Sequence, residues 1–493
     1  MSKLIKNTKK RLIKMERGQV LMVVAIAIVG IIGIVGLAMD VGVMFIENAR
    51  LRRAVDSSAL AAALQFREGY QVSELDSSAR EFLRLNGIND PSALVQICDG
   101  PDYSHTIPPD QCPVPPAPPR KLVRVVATGK AYLAFLPVIG IDSVPIAAEA
   151  TSETASVDVV LVIDRSESMT GTAKAPTDPS YSPMRDPSVC NNPDDPSFNP
   201  AFAPDSNYDS SYTGYCRPFD EVKKAAVSFV EQLYFPYDRV AVVTFDKNWN
   251  IFNFADDEHP KFFSNIKGDI ISAIKGLTVY EGEGVFPNGS PSRWYDSNGL
   301  YWGLQCPIED PNPGEELLIN PDWSGCTSTN IGAGLDNAGR VFNFDVNQNS
   351  LWVVILLTDG VANAGYDAAV PGLYFCPEST WLNGAHPPQV LPKCNDGKSA
   401  TRHATGSPDY DAEDYAYDGA DFVAHDQNAL IFTIGMGNMV KYTSSEDGTA
   451  LGELFLKYAA DQGLGTYTFE PDPAGLAEAF GDIAKNIATR LTH

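Results

Sequence analysis

The chain has 493 residues, too many for one typical domain, so two or three are expected. Its 62 Asp and Glu against 37 Lys and Arg give a formal net charge of −25. Such a surface repels nucleic acid, which is excluded as a partner, and binds anionic lipid poorly. The charge is partitioned: residues 1–19 hold seven Lys and Arg against Glu16, leaving 30 basic and 61 acidic residues for the rest.

Residues 1–19 read as a basic cytoplasmic tail, followed from Val20 to Ala38 by nineteen residues without a charge. As a helix this segment spans about 28 Å at roughly 1.5 Å per residue, near the ~30 Å hydrocarbon core. The basic flank comes first, so the sequence predicts a single-pass membrane helix over 20–38 with everything after Asp40 outside the cytoplasm. Gly30, Gly33 and Gly36 either form a close-packing face or are merely tolerated in lipid. Two processing events compete with a retained anchor. One is signal-peptide cleavage at Gly36-Leu37-Ala38, although the apolar run exceeds the usual ~7–15 residues. The other is prepilin cleavage, since Arg17-Gly18-Gln19 resembles a prepilin junction; Val23 stands where many pilins carry a glutamate.

Helix is expected to continue from Asp40 to Gly69, with Ala49, Leu51, Ala54, Val55, Ser58, Ala59, Ala62 and Leu64 as its small or apolar positions. The runs Gly36-Leu37-Ala38-Met39-Asp40-Val41-Gly42 and Leu51 to Ala63, with Asp56-Ser57-Ser58-Ala59-Leu60-Ala61 at its centre, resemble the amino-terminal region of TadG-like proteins of tight-adherence (Tad/Flp) pilus systems. That resemblance covers roughly residues 15–65 and implies pilus subunits as partners. Pro108 to Pro119 reads as a rigid connector. Leu122–Thr128 and Ser143–Ala150 alternate as strands do, so residues 39–150 are expected to form a helix and a small α+β, pilin-like stalk.

From Ser156 the pattern changes. Val157 to Ile163 is apolar and β-branched at almost every position, as in a strand buried on both faces of a parallel sheet. It runs straight into Asp164-x-Ser166-x-Ser168, a carboxylate and two hydroxyls at the carboxyl end of a strand, where open α/β sheets bind ligands. Small oxygen donors without Cys or His suit a hard cation, Mg²⁺ or Mn²⁺, with Ca²⁺ a further alternative. Beyond it the sequence predicts helices at Asp220–Leu233, Ile266–Leu277, Ile331–Phe342, Ala412–Ala424 and Pro473–Arg490. Strands are expected at Arg239–Phe245, Ile251–Phe254, Val353–Thr358, Ala429–Gly435 and Thr466–Phe469. The alternation indicates an α/β, doubly wound, mostly parallel sheet across 156–493, Rossmann-like, with long insertions near 170–217, 281–324 and 366–408. All three leave at or just before the loops that carry the oxygen donors, and Trp294, Trp302, Trp323 and Trp381 lie in them. Such loops commonly carry recognition, with the aromatics either interface anchors or the small cores of the loops themselves.

The combination of Asp164-x-Ser166-x-Ser168, then Thr329 in Cys326-Thr327-Ser328-Thr329-Asn330-Ile331-Gly332, then Asp359 after Val353 to Thr358, resembles the von Willebrand factor A domain and its metal-ion-dependent adhesion site (MIDAS); Thr327 is the alternative register for Thr329. The resemblance implies a metal site of Asp164, Ser166, Ser168, Thr329 and Asp359. The three hydroxyls would lie on the cation, and the two aspartates would hold its waters. A protein ligand would offer a Glu or Asp carboxylate. This chemistry is binding, and the chain is not read as an enzyme. The alternative is a structural pilus-assembly component in which the metal only stabilises the loops.

The eight cysteines fall into neighbouring couples, Cys98/Cys112, Cys190/Cys216, Cys306/Cys326 and Cys376/Cys394. Each couple lies in one loop-rich segment, which favours neighbour-to-neighbour disulfides and an oxidising compartment. Free buried thiols are the other reading, and no couple has the Cys-x-x-Cys spacing of zinc or thioredoxin chemistry.

Overall fold

A computed structural model describes residues 2–66, 70–89, 92–100, 102–114, 119–171, 185–192, 218–246, 248–255, 260–281, 293–295, 301–304, 306–308, 318–320, 329–344, 350–362, 364, 402–405, 410–437, 440–441, 450–470 and 475–490, the backbone alone for 2–19, 293–295, 302–304, 306–308, 318–320 and 488–490. The chain divides into two compact units, Met1–Thr154 and Ala155–His493.

In the first unit a single helix, α1, runs from Ser2 to Ala63, so basic tail, apolar segment and stalk helix are one continuous element. Apart from Gly36, every residue from Val20 to Met39 is exposed. Beyond Asp40 the helix changes character: Leu51, Ala54, Val55, Ser58, Ala59 and Ala62 are buried, the face that its small residues anticipate. It packs on α2 (Val72–Leu85) and on a sheet of β1 (Leu94–Ile97), β2 (Lys121–Tyr132) and β3 (Ser143–Thr154), antiparallel in that order. Helix α1 stops at Ala63, six residues before the expected Gly69. Its final carbonyl accepts the Thr154 hydroxyl, which ends the helix against β3. β2 and β3 exceed the expected strands because they pair without a break from Lys121↔Thr154 to Tyr132↔Ser143. The sequence reading lacked α2; only Leu75, Ala79 and Leu83 are buried in an otherwise polar run, so its apolar face is narrow. Cys98, just after β1, is bonded to Cys112 in the connector, with Cα atoms 5.7 Å apart. Residues 115–118 of that connector lie outside the described residues.

The second unit begins with β4 (Ser156–Asp164), buried throughout. In chain order follow α3 (Pro187–Asn191), α4 (Phe219–Glu231), β5 (Arg239–Phe245), β6 (Trp249–Ile251) and α5 (Lys267–Lys275). Two short antiparallel pairs occupy the second insertion, β7 (Arg293–Tyr295) with β8 (Tyr301–Leu304) and β9 (Cys306–Ile308) with β10 (Leu318–Asn320). Next come α6 (Ile331–Phe344), β11 (Ser350–Thr358), α7 (Ala412–Asp421), β12 (Leu430–Met436), α8 (Leu451–Gln462), β13 (Leu464–Glu470) and α9 (Leu476–Arg490). Six strands make one sheet in the order β13-β12-β11-β4-β5-β6, parallel except for edge strand β6. This is the expected doubly wound α/β sheet.

Alternate residues of β4 face opposite layers. Val157, Val159, Leu161 and Ile163 pack with α4, α5 and α9 through Val222, Phe229, Ile270 and Phe480. Val160 and Val162 pack with α6, α7 and α8 through Leu335, Ala416 and Phe455. Burial on both faces is why the strand shows an apolar run and no alternation. The expected edge strand at Ile251–Phe254 sits earlier, at Trp249–Ile251, antiparallel to β5. α7 ends at Asp421 and continues as a π-helical turn, Phe422–Asp426. α8 and the pairs β7–β10 had no sequence expectation. Most of the first and third insertions lies outside the described residues, as do Cys216, Cys326, Cys376, Cys394, Thr327, Trp323 and Trp381.

Candidate metal centre

The sheet order decides the geometry. β4 has β5 on one side and β11 on the other, and the chain winds outward from β4 in both directions. Its carboxyl end is therefore a topological switch point, the crevice where such sheets bind ligands. β4 and β11 are parallel, with Ile163 opposite Leu357. Asp164 ends β4 and Asp359 follows β11, so the two carboxylates leave the same edge of neighbouring strands, ~4.8 Å apart.

Hydrogen bonds join the two loops. Asp164 Oδ1 accepts the Ser166 N–H at 2.8 Å and Oδ2 accepts the Thr358 hydroxyl at 2.6 Å. Ser166 Oγ and Ser168 Oγ stand 2.9 Å apart, and the Ser168 hydroxyl donates to Asp359 Oδ1 at 2.7 Å. Thr329 approaches from the third loop: a Cβ on Gly360 would lie 3.5 Å from its Oγ1. The next residue fixes it, since the Asn330 N–H donates to the Asp246 carbonyl at 2.8 Å and Asn330 Oδ1 accepts the Ala333 N–H at 3.0 Å, capping α6. All five residues singled out in the sequence thus meet at one edge.

Both carboxylates are buried, and both are held above the usual carboxylate range. Burial is the main cause for each. The charge of Asp246 adds to it at Asp164, against the opposing hydrogen bonds from Ser166 and Thr358; the charge of Asp164 adds to it at Asp359. Two buried carboxylates that penalise each other's ionisation, ringed by three hydroxyls, are a donor set that a hard divalent cation would relieve. The set fits such an ion. Among the described residues no cluster of three or more His, Cys, Asp or Glu could hold a metal, so an ion at this edge would need the hydroxyls.

Sequence reasoning missed Thr358, Asn330 and Asp246. Asp246 carried a readable signal, a buried strand ending in Asp just as β4 does; its carboxylate pairs with Arg165 Nε at 2.9 Å. Described residues of the first two insertions lie near this edge. In the second, the Tyr301 hydroxyl donates to buried Glu167, which lies between Ser166 and Ser168. In the first, Asn191 Nδ2 donates to the Val279 carbonyl and to Glu281 Oε1, each at 2.8 Å. Cys190 beside it is disulfide-bonded.

Residues 18–65 match the family model "Putative Flp pilus-assembly TadE/G-like". Among curated proteins nothing matches the chain. Solved structures give distant likenesses. The von Willebrand factor type A protein from Catenulispora acidiphila is 13% identical over 74% of this chain, with a TM-score of 0.31; this chain spans under half of its length, 46%. The vWF domain of the type V pili tip protein Mfa5 from Porphyromonas gingivalis is 17% identical over 69% of this chain and 97% of its own, with a TM-score of 0.36. The pilus adhesin SpaC from Lactobacillus rhamnosus GG is 12% identical over 77% of this chain and 36% of its own, with a TM-score of 0.35. Strand order and pairing within this chain define the fold. Residues 18–65 carry a TadE/G-like segment, and the unit from Ala155 onward is a doubly wound, mostly parallel α/β sheet.

Proposed function

We propose that this chain is a membrane-anchored or pilus-associated adhesion protein that works outside the cytoplasm and grips a protein ligand through a divalent cation, Mg²⁺ or Mn²⁺. The observation that carries the reading is the convergence of Asp164, Ser166, Ser168, Thr329 and Asp359 at the switch point of the sheet. Ser166, Ser168 and Thr329 would hold the ion through neutral oxygens, and Asp164 and Asp359 would balance its charge. When bound, the cation supplies an electrophilic centre that a Glu or Asp carboxylate of the ligand can join. Thr358 and Asn330 keep Asp164 and Thr329 in place, so little order is lost on binding. No bond is broken. The basic tail before the apolar helix and the bonded Cys98, Cys112 and Cys190 support an anchored chain with its bulk in an oxidising compartment.

The test is calorimetric titration of the oxidised full-length protein in detergent with Mg²⁺ and Mn²⁺. Wild type is expected to bind, and Asp164→Ala and Thr329→Ala to lose the heat of binding. A wild type that takes up neither ion sinks the proposal. The match of residues 18–65 favours a second reading, a structural pilus-assembly component in which the cation only stabilises the loops. Either role predicts a stabilisation of about 2.7 kcal/mol at a cation concentration of 100 Kd. Only adhesion predicts that chelation also abolishes attachment to a carboxylate-bearing protein surface.

A further inference from the structure

The turn between β2 and β3 is apolar and exposed. Tyr132 is 70% exposed, Phe135 41%, Val138 87%, Ile139 72% and Ile141 44%. Ala131 to Ile141 contains no charge, and Asp142 is the first to follow. The hairpin lies along α1 and runs back toward its apolar segment. At one end Thr154 meets Ala63; midway a Cβ on Gly129 would lie 3.7 Å from Leu51. At the turn, Phe135 covers Gly36, where a Cβ would stand 2.8 Å from its ring. Gly36 therefore serves as a seat for this loop, whereas a Cβ on Gly30 or Gly33 would meet nothing within 4 Å outside the helix.

Asp40 is the latch. Its carboxylate is shielded from solvent and accepts the N–H groups of Ala134 (2.6 Å), Phe135 (3.0 and 3.2 Å) and Leu136 (2.8 Å). A carboxylate satisfied this way can lie at the edge of hydrocarbon without water. The exposed apolar surface of α1 does not stop there: Val41, Phe45 and Ile46 are 57, 77 and 62% exposed, and the next charge is Glu47. Val20 to Ile46 spans roughly 40 Å as a helix. That is more than the ~30 Å core and close to the ~40–45 Å that includes both headgroup layers.

We propose that the loop from Phe135 to Ile141 is a second membrane contact, a wedge that enters the outer lipid interface beside α1 and is held at that depth by Asp40. Its occupant is the bilayer, because its apolar tip continues the exposed apolar surface of the helix and no exposed charge interrupts the join, Asp40 being buried there. The wedge gives the stalk two attachment points and so limits its rotation about α1. This inference rests on the reading of α1 as a membrane anchor.

The full-length protein would be reconstituted in phosphatidylcholine/phosphatidylglycerol vesicles with and without acyl-brominated phosphatidylcholine. Added tryptophan emission, relative to the wild type with its six tryptophans, is read for Val138→Trp, Ile32→Trp and Tyr103→Trp. Trp at 138 is expected to be blue-shifted and to lose about half of its added emission, as for a side chain roughly 5–10 Å deep. Trp at 32 should be quenched, and Trp at 103, a position 96% exposed, should not be. Asp40→Ala should reduce quenching at 138 while leaving it at 32. Quenching at 32 without quenching at 138 overturns the wedge and leaves the anchor standing; quenching at neither overturns both. Shielding at 138 that follows protein density and not bromine assigns the loop to a second copy of the chain, which also overturns the proposal.

Discussion

Asp158 interrupts the apolar run of β4 and is fully buried. Its partner lies directly across the strand pair: Arg239 of β5 donates from Nε and Nη2 to the two carboxylate oxygens at 2.8 and 2.7 Å. Ser350 of β11 donates a third hydrogen bond, and the Arg239 guanidinium lies 4.9 Å from the centre of the Phe263 ring. Three central strands are thus tied at the end opposite the candidate metal centre, about 20 Å away by strand rise. Removing one member of such a pair leaves the other charge buried and alone. Asp158→Ala is expected to cost about 3–5 kcal/mol in denaturant unfolding, with cation affinity unchanged because the two ends of β4 share no side chain. An unchanged midpoint would show that Arg239 finds another partner. The sequence displays Asp158 but not its purpose, because the partner sits 81 positions later and only strand pairing brings it near.

The candidate centre depends on how α6 begins. Its N-cap is Asn330, directly after Thr329, and Gly334 lets the helix come close to the sheet. A Cβ there would lie 2.8 Å from Phe245 and 3.1 Å from Val162. Capping and close approach together set the position of the Thr329 hydroxyl. Asn330→Ala should lower stability by roughly 0.5–2 kcal/mol and also weaken cation binding, both read from melting curves with and without Mg²⁺. Lost stability with unaltered affinity would mean that the cap does not position Thr329. Most elements of this unit are legible in the sequence to within a few residues, since buried parallel strands and one-sided helices leave plain patterns. α8 and the pairs β7–β10 are not. Each strand of those pairs has only three or four residues, and α8 begins after Ala450, whose side chain has no group to cap it.

At the scale of the whole molecule, the proposed anchor carries an orientation with it. If α1 spans a membrane, the basic residues before its apolar segment would oppose translocation of the tail, and the acidic bulk would impose no such barrier. A tag at the amino terminus is expected to be labelled only after cell lysis, and a tag inserted at exposed Tyr103 to be labelled on intact spheroplasts; the reverse pattern would refute the orientation. The sequence by itself determined the apolar segment and the doubly wound class, which are written in local composition and periodicity; the TadE/G-like run and the candidate set Asp164, Ser166, Ser168, Thr329 and Asp359 were legible through resemblance to known motifs. Tertiary structure alone decided that Asp164 and Asp359 share an edge, that Thr358 and Asn330 hold them and Thr329 in place, that Asp158 meets Arg239, and that Asp40 closes on the β2–β3 turn 94 residues later. The physical reason is common to all four: a hydrogen bond or ion pair between distant positions leaves no periodic trace in sequence, and exists only once sheet register has placed both partners.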